Sequence, residues 1–269
     1  KELTMPHISF SELKNWCKCP FYHKLVNLDK MKAFMGNEHT SFGTAMHSSC
    51  ELILEGDNNL DNLKKNFELT FLKELQRVSR DTGEKFDKEL VQDMRVQGKI
   101  VMPFIYPALE EYFGDYEVFS IEEKIYEPIS EYAEYDYSFK GFIDAVIKTP
   151  DGKYHIVDWK TCSWGWGAKK RSDKMVTYQL TLYKNFFAAK HNIDPDKIET
   201  HFALLKRTAK KNNVEIFRTT SGPKKVSNAV NLLLKSLYNI TNENFIKNKS
   251  ACQDQYGNWC EFYGTEHCG

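Results

Sequence analysis

Two aspartates and a lysine carry the chemistry that this sequence offers most plainly. Gly141-Phe142-Ile143-Asp144 precedes the stretch Thr149-Pro150-Asp151-Gly152-Lys153, and Ile156-Val157-Asp158-Trp159-Lys160-Thr161 follows it. Proline, aspartate and glycine in that order suit a type I turn closed by a left-handed glycine, the three-residue hairpin loop. With Pro150, Asp151 and Gly152 as the loop, Thr149 faces Lys153 and Asp144 falls opposite Asp158. A two-residue loop would send the aspartates to opposite faces. Side chains alternate along a strand, so Asp158 and Lys160 share a face and Trp159 points away. Two neighbouring carboxylates repel unless a cation lies between them, and a hard ion such as Mg²⁺ meets that need. A solvated face with an ordinary Asp–Lys cross-strand pair gives the same triplet, and Asp-x-Lys alone does not choose between the two.

Gly141-x-x-Asp144 followed by Val157-Asp158-x-Lys160-Thr161 resembles the PD-(D/E)XK nuclease superfamily. The resemblance is closest to its RecB-like exonuclease branch, which includes phage recombination nucleases and CRISPR-associated relatives. Ser9-x-Ser11-x-Leu13 running to Cys19-Pro20-Phe21-Tyr22 is similar to that family's N-terminal helix motif. Gly43-Thr44-Ala45-Met46-His47 is similar to its Gly-x-x-x-His motif, and Gln179-Leu180-x-Leu182-Tyr183 to its helical Gln-x-x-x-Tyr motif. These matches keep the family's order and span nearly the whole chain.

The resemblance implies a restriction-endonuclease-like α/β fold, a mixed central sheet flanked by helices, with a helical N-terminal part. It implies a divalent-metal-dependent exonuclease hydrolysing phosphodiester bonds from DNA ends in recombination, repair or replication. An endonuclease of the same superfamily and a non-cleaving DNA-end-binding module are the alternatives. Asp144 and Asp158 would bind Mg²⁺ or Mn²⁺, His47 would add a nitrogen ligand, and Glu122 would be the additional acidic residue, with Glu123 its neighbour on the opposite face. Lys160 would position the attacking water and stabilise the transition state, and a metal ion would polarise the phosphoryl oxygen. Gln179 and Tyr183, one helical turn apart, would flank the site. Each of these residues has a plainer reading as a core or surface group.

The loop Ser163-Trp164-Gly165-Trp166-Gly167-Ala168-Lys169-Lys170-Arg171 follows directly. Trp164 and Trp166 interleaved with Lys169, Lys170 and Arg171 could stack bases and hold phosphates, including those of a single strand. Lys206-Arg207 and Lys210-Lys211 extend the same track; basic runs also serve simply as solvated faces. In the tail, Cys252, Cys260 and Cys268 recur with seven residues between them. Several RecB-like nucleases close their fold with a four-iron, four-sulfur cluster held by one N-terminal and three C-terminal cysteines. The resemblance puts Cys19, ahead of Cys17, with the three tail residues in that role. Zinc on the same thiolates and unligated buried thiols are the other readings, and Cys50 and Cys162 read as core or near-site residues.

The elements that must position these groups show in the periodicity. Ser9 or Ser11 can cap a helix through about Leu25, and Ser41 one through about Leu54. Leu63, Phe67, Phe71, Leu75 and Val78 form a helical stripe, and a further helix spans about Phe86 to Phe113, bent at Pro103 or Pro107. Strands are expected at Tyr116 to Tyr126, Tyr137 to Lys148, Tyr154 to Lys160, Thr200 to Lys206 and Val214 to Thr219. Helices are expected at Met175 to Ala189 and Val226 to Phe245. The chain of 269 residues has 41% apolar residues and balances 37 basic against 37 acidic side chains, which fits a globular protein without a uniformly basic surface. A single domain is the simplest reading, with a helical part over 1–114, catalytic sheet and helices over 115–248, and a Cys-rich tail over 249–269. No apolar run approaches a membrane span. The expected location is the cytoplasm, that of the host if the protein is phage-encoded. DNA is the expected partner and no membrane is; the sequence does not name protein partners.

Overall fold

The computed structural model describes residues 6–31, 35–129, 135–254 and 257–268. Strand β1, His7–Ser9, leads into helix α1, Phe10–Lys18. Ser9 accepts from Glu12 N while the Glu12 carboxylate accepts from Ser9 N, a capping box worth about 1 kcal/mol. Pro20 opens the short α2, Pro20–His23, which widens into one π turn over Lys24–Leu28. The single helix expected up to Leu25 is therefore interrupted at Cys19, because proline supplies no N–H for a continuing helix but fits a first turn.

Helix α3, Glu38–Leu54, starts one turn earlier than expected, because Asn37 rather than Ser41 is its cap. Ser41 is buried inside the helix and its hydroxyl donates to Asn37 O. Helix α4, Leu60–Thr82, buries all five residues of the expected stripe. Helix α5, Lys88–Val101, and helix α6, Ile105–Phe113, are divided by a 3₁₀ turn at Met102–Phe104. The break falls at Pro103, and Pro107 lies in the first turn of α6, where a missing N–H costs nothing.

Strands β2, Glu117–Pro128, β3, Ser138–Lys148, and β4, Tyr154–Cys162, follow. After them come α7, Ala168–Ser172, α8, Lys174–His191, β5, Ile198–Lys206, β6, Val214–Thr219, and α9, Pro223–Thr241. Strand β1 and the short helix α7 are absent from the expected set; three residues are too few to display alternation and five too few to display a helical stripe.

The chain forms two compact units. One comprises residues 1–34, 126–141 and 227–269, the other 35–125 and 142–226, so the division interleaves segments rather than following the three successive parts read from the sequence. In the first unit, β1 pairs in parallel with the opening residues of β3, and α9 buries Val230, Leu233, Leu237 and Ile240 at helical spacing. In the second, β3 pairs antiparallel with β4, β4 parallel with β5, and β5 antiparallel with β6. Residues of α3, α4, α5 and α6 pack with Ala145, Ile147, Val157, Trp159, Ala203 and Leu205 on one face of this mixed sheet. Helix α8 packs against β4 and β5. The sheet is thus a layer between helices, with one strand face for each helical layer.

Candidate active site

The β3–β4 hairpin sets the geometry. Ala145 pairs with Val157 and Lys148 with Tyr154, which is the three-residue-loop register, and Gly152 takes the left-handed φ of 80° that the turn requires. The paired register ends at Ala145 and Val157; Asp144 and Asp158 follow on their strands, near enough for the Asp158 charge to act on the Asp144 carboxyl, and Asp158 lies on the β4 face opposite to Val157 and Trp159. The Asp144 carboxylate accepts from Trp159 N at 2.7 Å, so its side chain takes the place of a ladder hydrogen bond there.

Asp158 is 2% exposed, and its Oδ2, which makes no well-aligned hydrogen bond among the described residues, lies 2.7 Å from Lys160 Nζ. Burial, reinforced by the Asp158 carboxylate, pushes the Asp144 carboxyl well above its ordinary range. Burial alone would pull Lys160 down, but the adjoining Asp158 charge outweighs it and holds the ammonium above its usual value. His47, delivered from the middle of α3, has Nδ1 3.6 Å from Asp144 Oδ2, and burial lowers its pKa. These are groups that a bound cation would relieve, since one positive charge would offset the repulsion between two carboxylates taken out of water. The residues therefore fit a divalent ion with oxygen ligands and one imidazole. Among the described residues, however, His47, Asp144 and Asp158 do not gather as tightly as the trio His155, Glu199 and His201, whose ligand atoms lie within 4.8 Å of one another.

Glu122 and Glu123, which sequence alone separates poorly, differ in structure. Glu122 sits at a left-handed φ of 48° within β2, a conformation costing of order 1 kcal/mol or more for a non-glycine residue. Burial, with the Asp158 charge adding to it, raises its pKa, which places it in the field of the acidic pair. Glu123 is occupied elsewhere, accepting from Lys190 Nζ at 2.8 Å and pairing with Ser120 and His191. From α8, Gln179 Nε2 donates to Tyr183 OH at 3.2 Å, and burial raises the Tyr183 hydroxyl, which also feels Asp158 and Lys160. Asp144, Asp158, Lys160, His47, Glu122, Gln179 and Tyr183 thus belong to one neighbourhood.

The loop after β4 departs from expectation. Trp164 is 76% exposed, whereas Trp166 is only 9% exposed, packed on Phe202 and Phe217. Trp166 is thus a core residue and not a free stacking surface. Arg171 is also engaged, donating to Trp166 O and to Glu215. Lys169 and Lys170 are exposed, with Lys170 Nζ 4.6 Å above the Trp166 ring. Of the proposed extension, Lys206 pairs with Glu215 and Arg207 bonds Gln97 and Ser163, while Lys210 and Lys211 face solvent.

In the first unit Cys19, Cys252, Cys260 and Cys268 line one cavity of about 20 Å³ together with Tyr22, Leu25 and Phe262; Cys17 does not line it. Cys19 Sγ accepts from Asn248 N at 3.3 Å, and Cys260 N donates to Cys252 O at 2.7 Å. The thiols line a common cavity without closing to ligand spacing. Cys50 is fully buried and Cys162 half-buried.

Comparison with known proteins gives the same direction. None of the curated proteins compared matches the chain. A crystal structure of a protein from Eubacterium rectale, provisionally named an exonuclease, superposes with a TM-score of 0.55 at 15% identity, covering 88% of this chain and 82% of that one; at that identity the likeness shows the fold. A second structure, of SSO0001, aligns at a TM-score of 0.33 and 14% identity, over 72% of this chain and 84% of the other. No helix among the described residues is long and apolar enough to cross a membrane. The family model of the PD-(D/E)XK nuclease superfamily matches residues 7–264, and the chain belongs to that superfamily.

Proposed function

We propose that the protein is a divalent-metal-dependent deoxyribonuclease of the RecB-like branch that degrades DNA from its ends, in the cytoplasm, during recombination, repair or replication. The observation that carries the reading is the buried Asp158 with the Lys160 ammonium 2.7 Å away and the half-buried Asp144 carboxylate within its electrostatic reach. Mg²⁺ or Mn²⁺, when bound, would supply Lewis-acid polarisation of the phosphoryl oxygen. His47, Asp144, Asp158 and Glu122 are the residues that would hold it. Lys160, anchored by Asp158, presents a positive charge where negative charge builds on the phosphate. Gln179 and Tyr183 brace the lysine side of the site, and Trp164, Lys169 and Lys170 supply an exposed ring and two cations for the strand.

Cys19, Cys252, Cys260 and Cys268 would hold a four-iron, four-sulfur cluster, a reading supported by the cavity that all four line. An anaerobic preparation should be brown with broad visible absorption, and a colourless one carrying stoichiometric zinc would replace the cluster with a zinc site.

End-labelled linear and closed circular DNA incubated with Mg²⁺ or Mn²⁺ test the central claim. Loss of the linear form alone is the expected result. Degradation of both assigns an endonuclease, and survival of both in each ion assigns a non-cleaving end-binding module.

A further inference from the structure

The tightest ligand set among the described residues lies away from the acidic pair. His155 on β4 stands opposite Glu199 on β5 in the parallel register, and His201 follows two residues on, so all three point to the same face. That face is the one carrying Val157 and Trp159, the reverse of the face carrying Asp158 and Lys160. His155 Nδ1 and His201 Nε2 are 3.0 Å apart. Glu199 Oε2 lies 3.9 Å from the first and 4.0 Å from the second. Ligands bonded to one tetrahedral Zn²⁺ at about 2.0–2.1 Å stand roughly 3.3 Å from each other, so the three atoms already bracket that spacing.

We propose that His155, Glu199 and His201 form a second metal site, for a borderline transition ion of the Zn²⁺ class. The donor set, two imidazoles and one carboxylate, suits Zn²⁺ and its neighbours over Mg²⁺ or Ca²⁺, which prefer oxygen. Both histidines are almost fully buried, at 7% and 2% exposure, and burial favours the neutral ring that ligates.

Their outward-facing nitrogens are fixed as a metal site requires. His155 Nε2 is 2.9 Å from Thr149 Oγ1, and His201 Nδ1 is 3.3 Å from Tyr112 OH. Two neutral rings 3.0 Å apart must share one proton between them in the metal-free protein. Metal entry requires both facing nitrogens to be free of protons, with His155 protonated on Nε2 towards Thr149 Oγ1 and His201 on Nδ1 towards the Tyr112 hydroxyl.

Glu199 directs Oε1 to Lys153 at 3.2 Å and to Arg218 at 3.6 Å, leaving Oε2 towards the rings. Those two cations reduce the site's negative charge, so affinity falls below that of an all-thiolate site. Three protein ligands leave a coordination position open, as in sites that exchange a ligand. It faces a cavity of about 510 Å³ lined by Tyr112, Phe113, Asp151 and Lys153. The ion would tie β4 to β5 and would stand whether or not the chain cleaves DNA.

The test is a titration of the chelator-stripped full-length protein with Zn²⁺ against a chromophoric chelator, with X-ray absorption at the zinc edge. Zinc bound through nitrogen and oxygen alone is expected. Glu199→Gln and His201→Gln should each weaken it by more than the ~10–100-fold that loss of an outer partner such as Thr149 costs, and Glu89→Gln, an exposed acid of α5, should leave it unchanged. Glu199 is at the cavity edge, so Glu199→Gln decides the matter if His201→Gln fails to fold. Unchanged affinity in Glu199→Gln, a sulfur-only zinc shell, or no stoichiometric binding would overturn the proposal.

Discussion

At the scale of residues, Lys160 and Glu122 are the groups whose roles separate most cleanly. Lys160→Ala removes the charge beside Asp158 without touching the carboxylates. Turnover should fall by about 10²–10³, the usual loss when one preorganised electrostatic partner is deleted, while Mg²⁺ binding and DNA affinity stay close to those of the parent. Single-turnover kinetics alongside calorimetric metal titration would check this, and unchanged turnover would remove the assignment. Glu122→Ala should raise the Mg²⁺ concentration for half-maximal activity by about 10–100-fold. Glu123→Ala breaks the contacts to Lys190 and His191 and should lower the melting temperature with the Mg²⁺ requirement unmoved; the opposite assignment of effects would exchange the two residues. The hairpin that brings Asp144 and Asp158 near each other was legible in the sequence because its turn type fixes its register locally. The fate of Trp166 was not, since its burial depends on Phe202 and Phe217, residues of strands whose pairing no local pattern states.

At the scale of elements, the stripe of α4 was plain because five apolar residues repeat at helical spacing, and the start of α3 was not, because Asn37 and Ser41 are both good caps one turn apart. Close packing adds what periodicity omits. Gly98 of α5 lies against Phe67 of α4, and an added Cβ would overlap that ring. Phe67 is fully buried and stacked on Phe71, so it has no room to yield. Gly98→Ala should therefore destabilise by about 1–3 kcal/mol through overpacking, despite alanine's better helix propensity. Thermal melting would read this as a fall of roughly 2–4 °C per kcal/mol for a chain of this size, and a rise would show that α4 and α5 can separate. In α2, His23 is 2% exposed; burial, with Lys30 adding to it, lowers its pKa to about 4. The folded pKa lies below the unfolded value near 6.5, so the unfolded chain takes up the proton first. This contribution is complete above pH 6.5 and is lost as pH falls towards 4, amounting to about 3 kcal/mol there. Urea denaturation at pH 7.5 and 4.5 should show a smaller pH difference for His23→Gln than for the parent, and equal differences would mean that the ring is protonated in the folded state.

At the scale of the whole molecule, 37 basic and 37 acidic side chains leave no net charge to draw in DNA, and under the proposed function its capture would fall to local groups such as Lys169 and Lys170. The division into two units was not legible, because apart from the crossing at 34/35 the chain passes between them inside β2, β3 and α9, where no linker composition can mark a boundary. That interleaving has an energetic consequence for the unit made of residues 1–34, 126–141 and 227–269. Its tail returns to a partner 229 residues away in sequence, at the Asn248 to Cys19 contact, and closing so long a loop costs about 5 kcal/mol of chain entropy. Among the described residues, the tail from Lys249 onward buries little apolar surface beyond Phe262, too little to offset that cost by itself. A metal group held by Cys19, Cys252, Cys260 and Cys268 would supply the difference. Cys252→Ser and Cys268→Ser should then speed amide exchange in residues 249–268 by about 10-fold or more, the equivalent of roughly 1.4 kcal/mol, and expose the tail to protease. Amides of β4 and β5 should keep parental protection. Uniform loss across both units would show a general folding defect, and no change at all would show that the tail is held by its aromatic contacts, Tyr22 on Phe262 and Trp259 on Tyr263, without help from the thiols.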